Sequence, residues 1–283
     1  MYTYFVGDIH GCFDEYLELE ARIHKHAHEH GKRSLIVSVG DLIDRGPDSA
    51  GVVTHFLNGQ QQGTHAAIMG NHEMMLLQVV QHFAPQNFIE GLCPWPVGFS
   101  TLTDLHQRGG TWVGDLDLEP YAHRTAQMWL SQGGQQTLMS LEQDPFRFDS
   151  WRLPAHWLKY LVELPFYWED AHTVVTHALI SQGNLNALRK SEDGKWPLDA
   201  EHRTRLVEAH DEALWNRKLP SERMDTAREH VSGHTPLPIL KRHHTHHAVQ
   251  IDTGCVYGQH LTAYCPELGE ALVVKAHRAY ARI

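Results

Sequence analysis

The chain has 283 residues, 42% of them hydrophobic, which is enough to bury a full core and argues against wholesale disorder. A formal net charge of −10 excludes a broad, non-specific nucleic-acid footprint and leaves room only for a local basic pocket. Cys12, Cys93, Cys255 and Cys265 show no CxxC spacing, no run of about 20 apolar residues suggests a membrane span, and the N-terminus enters a strand at once, so the expected setting is the reducing cytoplasm.

Thr3–Val6 predicts the first strand, followed by Gly7-Asp8-Ile9-His10-Gly11. Asp8 and His10 alternate, so extended backbone sends both side chains from one face. A carboxylate beside an imidazole suits a borderline transition metal. Residues 13–30 carry Phe13, Tyr16, Leu17, Leu19 and Ile23 among charges, the pattern of an amphipathic helix. Its end places His24 with His28 and His26 with His30 one turn apart. Such pairs chelate zinc or nickel, but a solvated helix end is the plainer reading.

Ser34–Val39 predicts a buried strand that stops at Gly40 and delivers Asp41-Leu42-Ile43-Asp44-Arg45-Gly46-Pro47. Its two carboxylates suit a cation or the orientation of an imidazole, and the planar fork of Arg45 suits a phosphate. Residues 52–57 predict a helix. Ala66–Met69 is a third apolar run, ending in Gly70-Asn71-His72-Glu73, and residues 74–80 return to helix.

Residues 83–170 are expected to form an insertion within one domain spanning 1–283. Pro85, Pro94, Pro96, Gly98, Gly109 and Gly110 break its first half into loops. Ala126–Gly134 predicts a helix stopped by glycine, and residues 154–164 an amphipathic helix. Trp95, Trp112, Trp129, Trp151, Trp157 and Trp168 fall in this span; most are expected in the core, with one or two on a cleft wall. Residues 173–176 then lead as a strand into His177. A helix over 200–215 ends in Trp215-Asn216-Arg217, and 230–233 leads into His234-Thr235-Pro236. Val249–Ile251 leads into Asp252-Thr253-Gly254, and residues 261–264 and 271–275 close the chain as strands. The tract 242–247, rich in histidine, is expected as a solvated loop.

Asp8, His10, Asp41, Asn71, His177 and His234 all stand at strand ends. Any one of them alone would be an ordinary cap or turn residue. Together they are too many ligands for one metal and suit two metals sharing a bridging carboxylate. The mixed oxygen and nitrogen set favours manganese, iron, zinc or cobalt over calcium or magnesium. Water between two such ions is acidified, which points to direct hydrolysis of a phosphoester without a covalent intermediate.

Gly7-Asp8-x-His10-Gly11, Gly40-Asp41-x-x-Asp44-Arg45-Gly46 and Gly70-Asn71-His72-Glu73 resemble, in order, the three signature blocks of the PPP-type calcineurin-like metallophosphoesterases. That family includes serine/threonine protein phosphatases and symmetrical diadenosine tetraphosphate hydrolases. His177, Leu214-Trp-Asn-Arg217, Gly233-His234-Thr-Pro236 and Asp252-Thr-Gly254 extend the resemblance over most of the chain. It implies an α/β (α+β) four-layer sandwich, with two β-sheets packed face to face and helices outside. It implies that Asp8, His10 and Asp41 hold one metal, and that Asp41, Asn71, His177 and His234 hold the other, with manganese the first expectation. His72 would protonate the leaving group, oriented by Asp44, while Arg45 and Arg217 clamp the phosphoryl oxygens. Two positions depart from the pattern. Met69 stands where many protein phosphatases have arginine, and Leu179 follows His177-Ala178 where glycine is usual.

The resemblance implies a phosphomonoesterase of the serine/threonine protein phosphatase type, acting on a phosphorylated protein, a peptide or a small phosphoester. Asp44-Arg45 and His72-Glu73 favour that type, since diadenosine hydrolases often carry Ala-Arg-Gly and Asn-His-Asp there. A bis(5'-nucleosyl)-tetraphosphatase and a nucleotide or nucleic-acid-end phosphodiesterase are the alternatives. A catalytically dead binding module would need a missing ligand or acid, and none is missing. No feature of the chain specifies an oligomeric state.

Overall fold

The computed structural model describes residues 1–83, 126–191, 200–221 and 227–282. The N-terminal half alternates β1 (Tyr2–Val6), α1 (Phe13–Glu29), β2 (Ser34–Ser38), α2 (Ser49–Gln61), β3 (His65–Ala67) and α3 (Asn71–Phe83). A helical run over 126–140 follows, with a π turn at Leu130–Gly134 that continues as α4 (Gln135–Ser140). Then come α5 (Ala155–Val162), β4 (Tyr167–Glu169), β5 (Thr173–Thr176), α6 (Gln182–Lys190), α7 (Ala200–Trp215) and β6 (Glu229–Ser232). β7 (Lys241–His243), β8 (Ala248–Gln250), β9 (His260–Cys265) and β10 (Glu270–Lys275) complete the chain.

The strands form two five-stranded mixed sheets, ordered β10-β9-β1-β2-β3 and β4-β5-β6-β8-β7. Each sheet has a kernel of three parallel strands, β1-β2-β3 in one and β5-β6-β8 in the other. Antiparallel strands close the edges. The kernels are buried on both faces, which is why their sequences run apolar instead of alternating with polar residues. Period-two geometry divides each strand between two cores. Phe5, Val37, Val39 and Ile68 from the first sheet meet Val175, Val231, Val249 and Ile251 from the second. Tyr4, Val6 and Ile36 point the other way, under Tyr16, Leu19 and Ile23 of α1 and Val52 and Phe56 of α2. The two sheets flanked by helices are those of a calcineurin-like sandwich. No helix among the described residues is long and apolar enough to cross a membrane.

Three local expectations are sharpened. The helix that begins at 126 breaks at Gly133, whose φ of 113° is non-helical, one residue before the expected stop at Gly134, and a second helix follows to Ser140. Gly133 accepts the backbone N–H of Arg45 at 3.1 Å, and Gly134 lies against the ring of Trp129. The glycine pair thus breaks the helix and also allows close approach. The histidine tract is not a solvated loop throughout: β7 pairs with β8, and His243 is buried on Gln250, with Nε2 and Oε1 2.8 Å apart. In α1, His24 turns to Glu20 and Ser34, while the rings of His26 and His30 sit 4.7 Å apart. Trp129, Trp151 and Trp157 are core residues, and Trp168 packs edge-on against Phe5. Trp95, Trp112 and the loop breakers between 85 and 110 lie outside the described residues.

Phe5 is fully buried in the layer between the sheets, 5.2 Å from Trp168. Phe5→Ala is expected to lower unfolding free energy by about 3–5 kcal/mol in chemical denaturation. A loss below about 1 kcal/mol, in the range of surface substitutions, would show that this layer does not hold the sheets together.

Candidate active site

Each parallel strand of both kernels ends in a polar residue. Asp8 and His10 follow β1, Asp41 follows β2, and Asn71 and His72 follow β3. His177 follows β5, His234 follows β6 and Asp252 follows β8. The face-to-face packing brings these ends together. His234 donates its backbone N–H to Asp8 Oδ1 and Oδ2 at 3.2 and 3.1 Å, and the N–H of His72 reaches Asp41 Oδ1 at 3.0 Å.

The backbone is bent to achieve this. Seven non-glycine residues among the described ones have left-handed φ, and five belong here: His10, Asp41, Asp44, Arg45 and His234. Each such residue costs about 1–2 kcal/mol, and strain of this kind collects where geometry is imposed by use. Gly233 has no room for a Cβ, because Asp8 Oδ1 fills the space. Glu73 holds the turn. Its carboxylate accepts the backbone N–H of Gly70, Asp41, Leu42 and Ile43 at 2.8–3.2 Å.

The donor set can be tested for a cation by following protons. His10 donates Nδ1–H to the carbonyl of Ile43, and His177 donates Nδ1–H to that of Val39, both at 2.8 Å. Burial keeps both rings neutral, their pKa below the ordinary value, so each Nε2 carries a bare lone pair. His177 Nε2 faces Asn71 Oδ1 at 2.8 Å and Asp41 Oδ1 at 3.5 Å, and His10 Nε2 faces Asp41 Oδ2 at 3.4 Å. Turning the Asn71 amide would relieve the first contact. A cation between them relieves a neutral imidazole nitrogen facing a carboxylate, which no rotation of the carboxylate group does. Asn71 Oδ1 also faces His234 Nδ1 at 3.0 Å, and burial with the neighbouring His177 lowers His234 to about 3. Burial pulls Asp41 upward, but His177, His72, His10 and Arg45 together hold it well below the usual carboxylate range. Ligand atoms of Asp8, Asp41 and His177 lie within 4.8 Å of one another, as do those of His10, Asp41 and His72. This set fits divalent cations.

His72 and Asp44 form a buried dyad, with Nδ1 and Oδ2 2.7 Å apart. Asp44 is fixed by the indole N–H of Trp129 at 2.9 Å and the hydroxyl of Thr137 at 2.5 Å. It therefore stands behind His72 and makes no approach to the Asp8 and Asn71 cluster. Arg45 donates to His10 Nε2 at 2.6 Å, occupying a lone pair that a metal would take, and its guanidinium lies 5.7 Å from the Tyr257 ring centroid. Arg217 is exposed on the rim. The floor opens into a cleft of about 580 Å³ walled by Trp215, Arg217, Tyr257, Tyr280 and the turn over 130–136.

Met69 is buried in the helix-side core, so an apolar residue fills that position. Leu179 is also buried, and the loop after His177 is tied to the end of α7. Ala178 donates its N–H to Ala213 O at 2.7 Å, and Asn216 donates to Leu179 O at 2.8 Å. That second bond positions the residue just before Arg217.

Sequence reasoning missed Asp252 as a site residue, although Asp252-Thr253-Gly254 after an apolar run was the same signal as the other strand ends. Asp252 lines the cleft beside Asp8. Burial, with the charge of Asp41, pushes it up to about 6, and burial with Asp252 and Asp41 raises Asp8 well above its usual value. Trp129 and Thr137 gave no signal, since their partner Asp44 lies 85 and 93 positions away.

A family model described as calcineurin-like phosphoesterase matches residues 1–278. The chain is 26% identical over 276 residues to a symmetrical bis(5'-nucleosyl)-tetraphosphatase of Shewanella sediminis, covering 93% of this chain and 94% of that protein. It is 41% identical over 78 residues to serine/threonine-protein phosphatase 1 of Salmonella typhimurium, a match that spans 27% of this chain and 32% of that one. A cold-active protein-tyrosine phosphatase of a psychrophilic Shewanella superposes with TM-score 0.53 at 16% identity, covering 96% of this chain and 79% of that one. A crystal structure provisionally described as a diadenosine tetraphosphatase superposes at 0.51 with 19% identity, covering 97% and 93%. At such identities the structural likeness speaks for the fold.

The raised carboxylates set a pH dependence. Groups whose pKa is raised on folding contribute stability that is full below their unfolded value, about 4, and is lost as pH climbs through the folded value. With metals chelated, this contribution favours pH 5 over pH 7 and runs against that of the buried histidines, whose lowered pKa values favour pH 7. Asp252→Asn, which removes it, should therefore raise the unfolding temperature at pH 7 relative to that at pH 5 compared with wild type, since Asp252 sits at about 6. An identical pH slope in wild type and Asp252→Asn would mean that the Asp8–Asp252 pair is not the source.

Proposed function

The chain belongs to the calcineurin-like phosphoesterase family and is a phosphoester hydrolase, and from that premise we propose that it is a phosphomonoesterase for alkyl phosphates such as phosphoserine and phosphothreonine. In this reading Asp8, His10 and Asp41 hold one divalent cation and Asp41, Asn71, His177 and His234 a second. Manganese is our first assignment, and iron, zinc or cobalt suit the same donors. When bound, the cations supply Lewis acidity, acidifying a water and drawing charge from the phosphoryl oxygens.

The observation that carries the reading is the His72–Asp44 dyad, 2.7 Å long and fully buried. With Nδ1–H held by Asp44, His72 is left Nε2 for a proton aimed into the cleft it lines. Asp44 is a positioning residue, and Trp129 and Thr137 hold it. Such an acid is needed where the leaving group is an alkoxide, because an alcohol leaves poorly without a proton. A nucleotide phosphate leaves readily without one. In this reading Arg45, once it leaves His10, and Arg217 clamp phosphoryl oxygens, which is supported by both lining the cleft. The buried thiols Cys12, Cys255 and Cys265, unpaired among the described residues, suit a reducing cytoplasm.

A dinucleoside polyphosphate is the second reading. It is favoured by the match over nearly the whole chain to a bis(5'-nucleosyl)-tetraphosphatase and by aromatic walls able to stack a base.

His72→Asn is expected to cut turnover of a phosphoserine peptide or glycerol phosphate by about 10²–10⁴-fold, the usual worth of a general acid. It should cost far less with p-nitrophenyl phosphate, whose leaving group scarcely needs a proton. Equal losses on both would reject the acid role. EDTA should abolish activity and manganese restore it. A kcat/KM for diadenosine tetraphosphate above that for the phosphopeptide would transfer the assignment to the second reading.

A further inference from the structure

Away from the cleft, three histidines and a glutamate converge where α1 and α2 cover β3. Glu20 and His24 come from α1, His55 from α2 and His65 from β3. Glu20 Oε1 lies 3.0 Å from His65 Nε2, 3.1 Å from His55 Nε2 and 3.6 Å from His24 Nε2. Ligand atoms of Glu20, His55 and His65 all fall within 4.8 Å of one another. Around a tetrahedral ion with bonds of about 2.0–2.1 Å, ligand atoms stand about 3.3–3.4 Å apart. The observed spacing brackets that value.

Proton accounting points the same way. Thr64 Oγ1 donates to Gly59 O at 3.2 Å, so it accepts from His65 Nδ1 at 2.9 Å. The proton of a neutral His65 therefore sits on Nδ1, and Nε2 presents its lone pair to Glu20 and to the hydroxyl of Tyr16 at 2.8 Å. His24 is anchored in the same manner, Nδ1 on Ser34 Oγ at 2.8 Å. Rings tethered at one nitrogen and aimed with the other are the usual arrangement of metal-ligating histidines. An ion pair would account for one imidazolium beside Glu20. It does not account for three Nε2 atoms directed at one carboxylate.

We propose that Glu20, His55 and His65 form a second binding site for a divalent cation of the zinc class, separate from the catalytic cleft, with the fourth position open to water. Two imidazole nitrogens and one carboxylate oxygen suit zinc or cobalt over calcium or magnesium. The site has an open side, since the side chains of His24 and His55 are 51% and 30% exposed. A cation here joins α1, α2 and β3. Because β3 runs on into Gly70-Asn71-His72, the site braces a strand that feeds the cleft.

Crystals of the full chain grown with zinc test the site by anomalous diffraction at the zinc edge, with the cleft as internal control. A peak is expected about 2.0–2.2 Å from His55 Nε2, His65 Nε2 and a Glu20 oxygen. Zinc in the cleft with none at this cluster overturns the proposal. In solution, His55→Gln, at a partly exposed position that spares the core, should bind one zinc fewer than wild type at saturation. Thr64→Val, which removes the hydroxyl that tethers His65 together with its bond to Gly59 O, should weaken that zinc by about 10–100-fold. Manganese-supported phosphatase activity should be unchanged in both. Equal zinc stoichiometry in wild type and His55→Gln overturns the assignment.

Discussion

The carboxylate of Glu73 gathers four backbone N–H groups that would otherwise point at one another inside the protein. Three of them come from the turn after β2 and one from the turn after β3. Successive N–H groups in such a turn form a concavity that an anion fills, and leaving any of them unpaired would cost about 1–3 kcal/mol. Glu73 is therefore an internal hydrogen-bond acceptor covalently attached to the first turn of α3. It locks Asp41 beside Asn71 and His72, which is the relation on which the rest of the site is built. Its position carries an electrostatic load: burial and the charges of Asp41 and Asp44 push its pKa up to about 8, against the pull of the N–H groups.

That load extends over the whole floor of the cleft. Two parallel kernels deliver six polar strand ends to one edge, and the delivery leaves bare lone pairs and buried carboxylates facing one another. Nothing in the local backbone favours this, since five residues there are held in left-handed conformations. The compensation comes from the apolar layer between the sheets and the larger core under α1 and α2. Charge crowded without a partner destabilises a fold, so cations that fit the donors relieve strain as well as supply chemistry.

The sequence made the strand-end blocks legible because each needs fixed residue types on a short, glycine-bounded backbone. Asp8, His10, Asp41, Asn71, His177 and His234 are brought together, and Asp44 is found behind His72, an arrangement no spacing alone dictates. What stayed illegible depends on distance or on ambiguous signals. Glu73 bonds residues some 30 positions away, and Trp129 and Thr137 lie still farther from Asp44. The helix expected to stop at Gly134 breaks one residue earlier, because two adjacent glycines look alike in sequence and the bond of Gly133 to Arg45 selects between them. The tract at 242–247 read as loop because an edge strand of Lys241, Arg242 and His243 carries no apolar alternation, yet pairing with β8 decides the form of its first residues.

The abundant histidines of this chain differ chiefly in what stands behind the ring. His10 and His177 rest Nδ1 on main-chain carbonyls, which can only accept. That fixes the neutral tautomer and turns a lone pair toward the centre. His72 rests Nδ1 on a carboxylate, which fixes the ring and leaves Nε2 facing the cleft. His65 and His24 rest on hydroxyls of Thr64 and Ser34, which orient the ring without adding charge. The same side chain thus meets different surroundings with Nε2 according to one hydrogen bond on its far side, and the carboxylate of Asp44 is what sets His72 apart from the rings that rest on main-chain carbonyls.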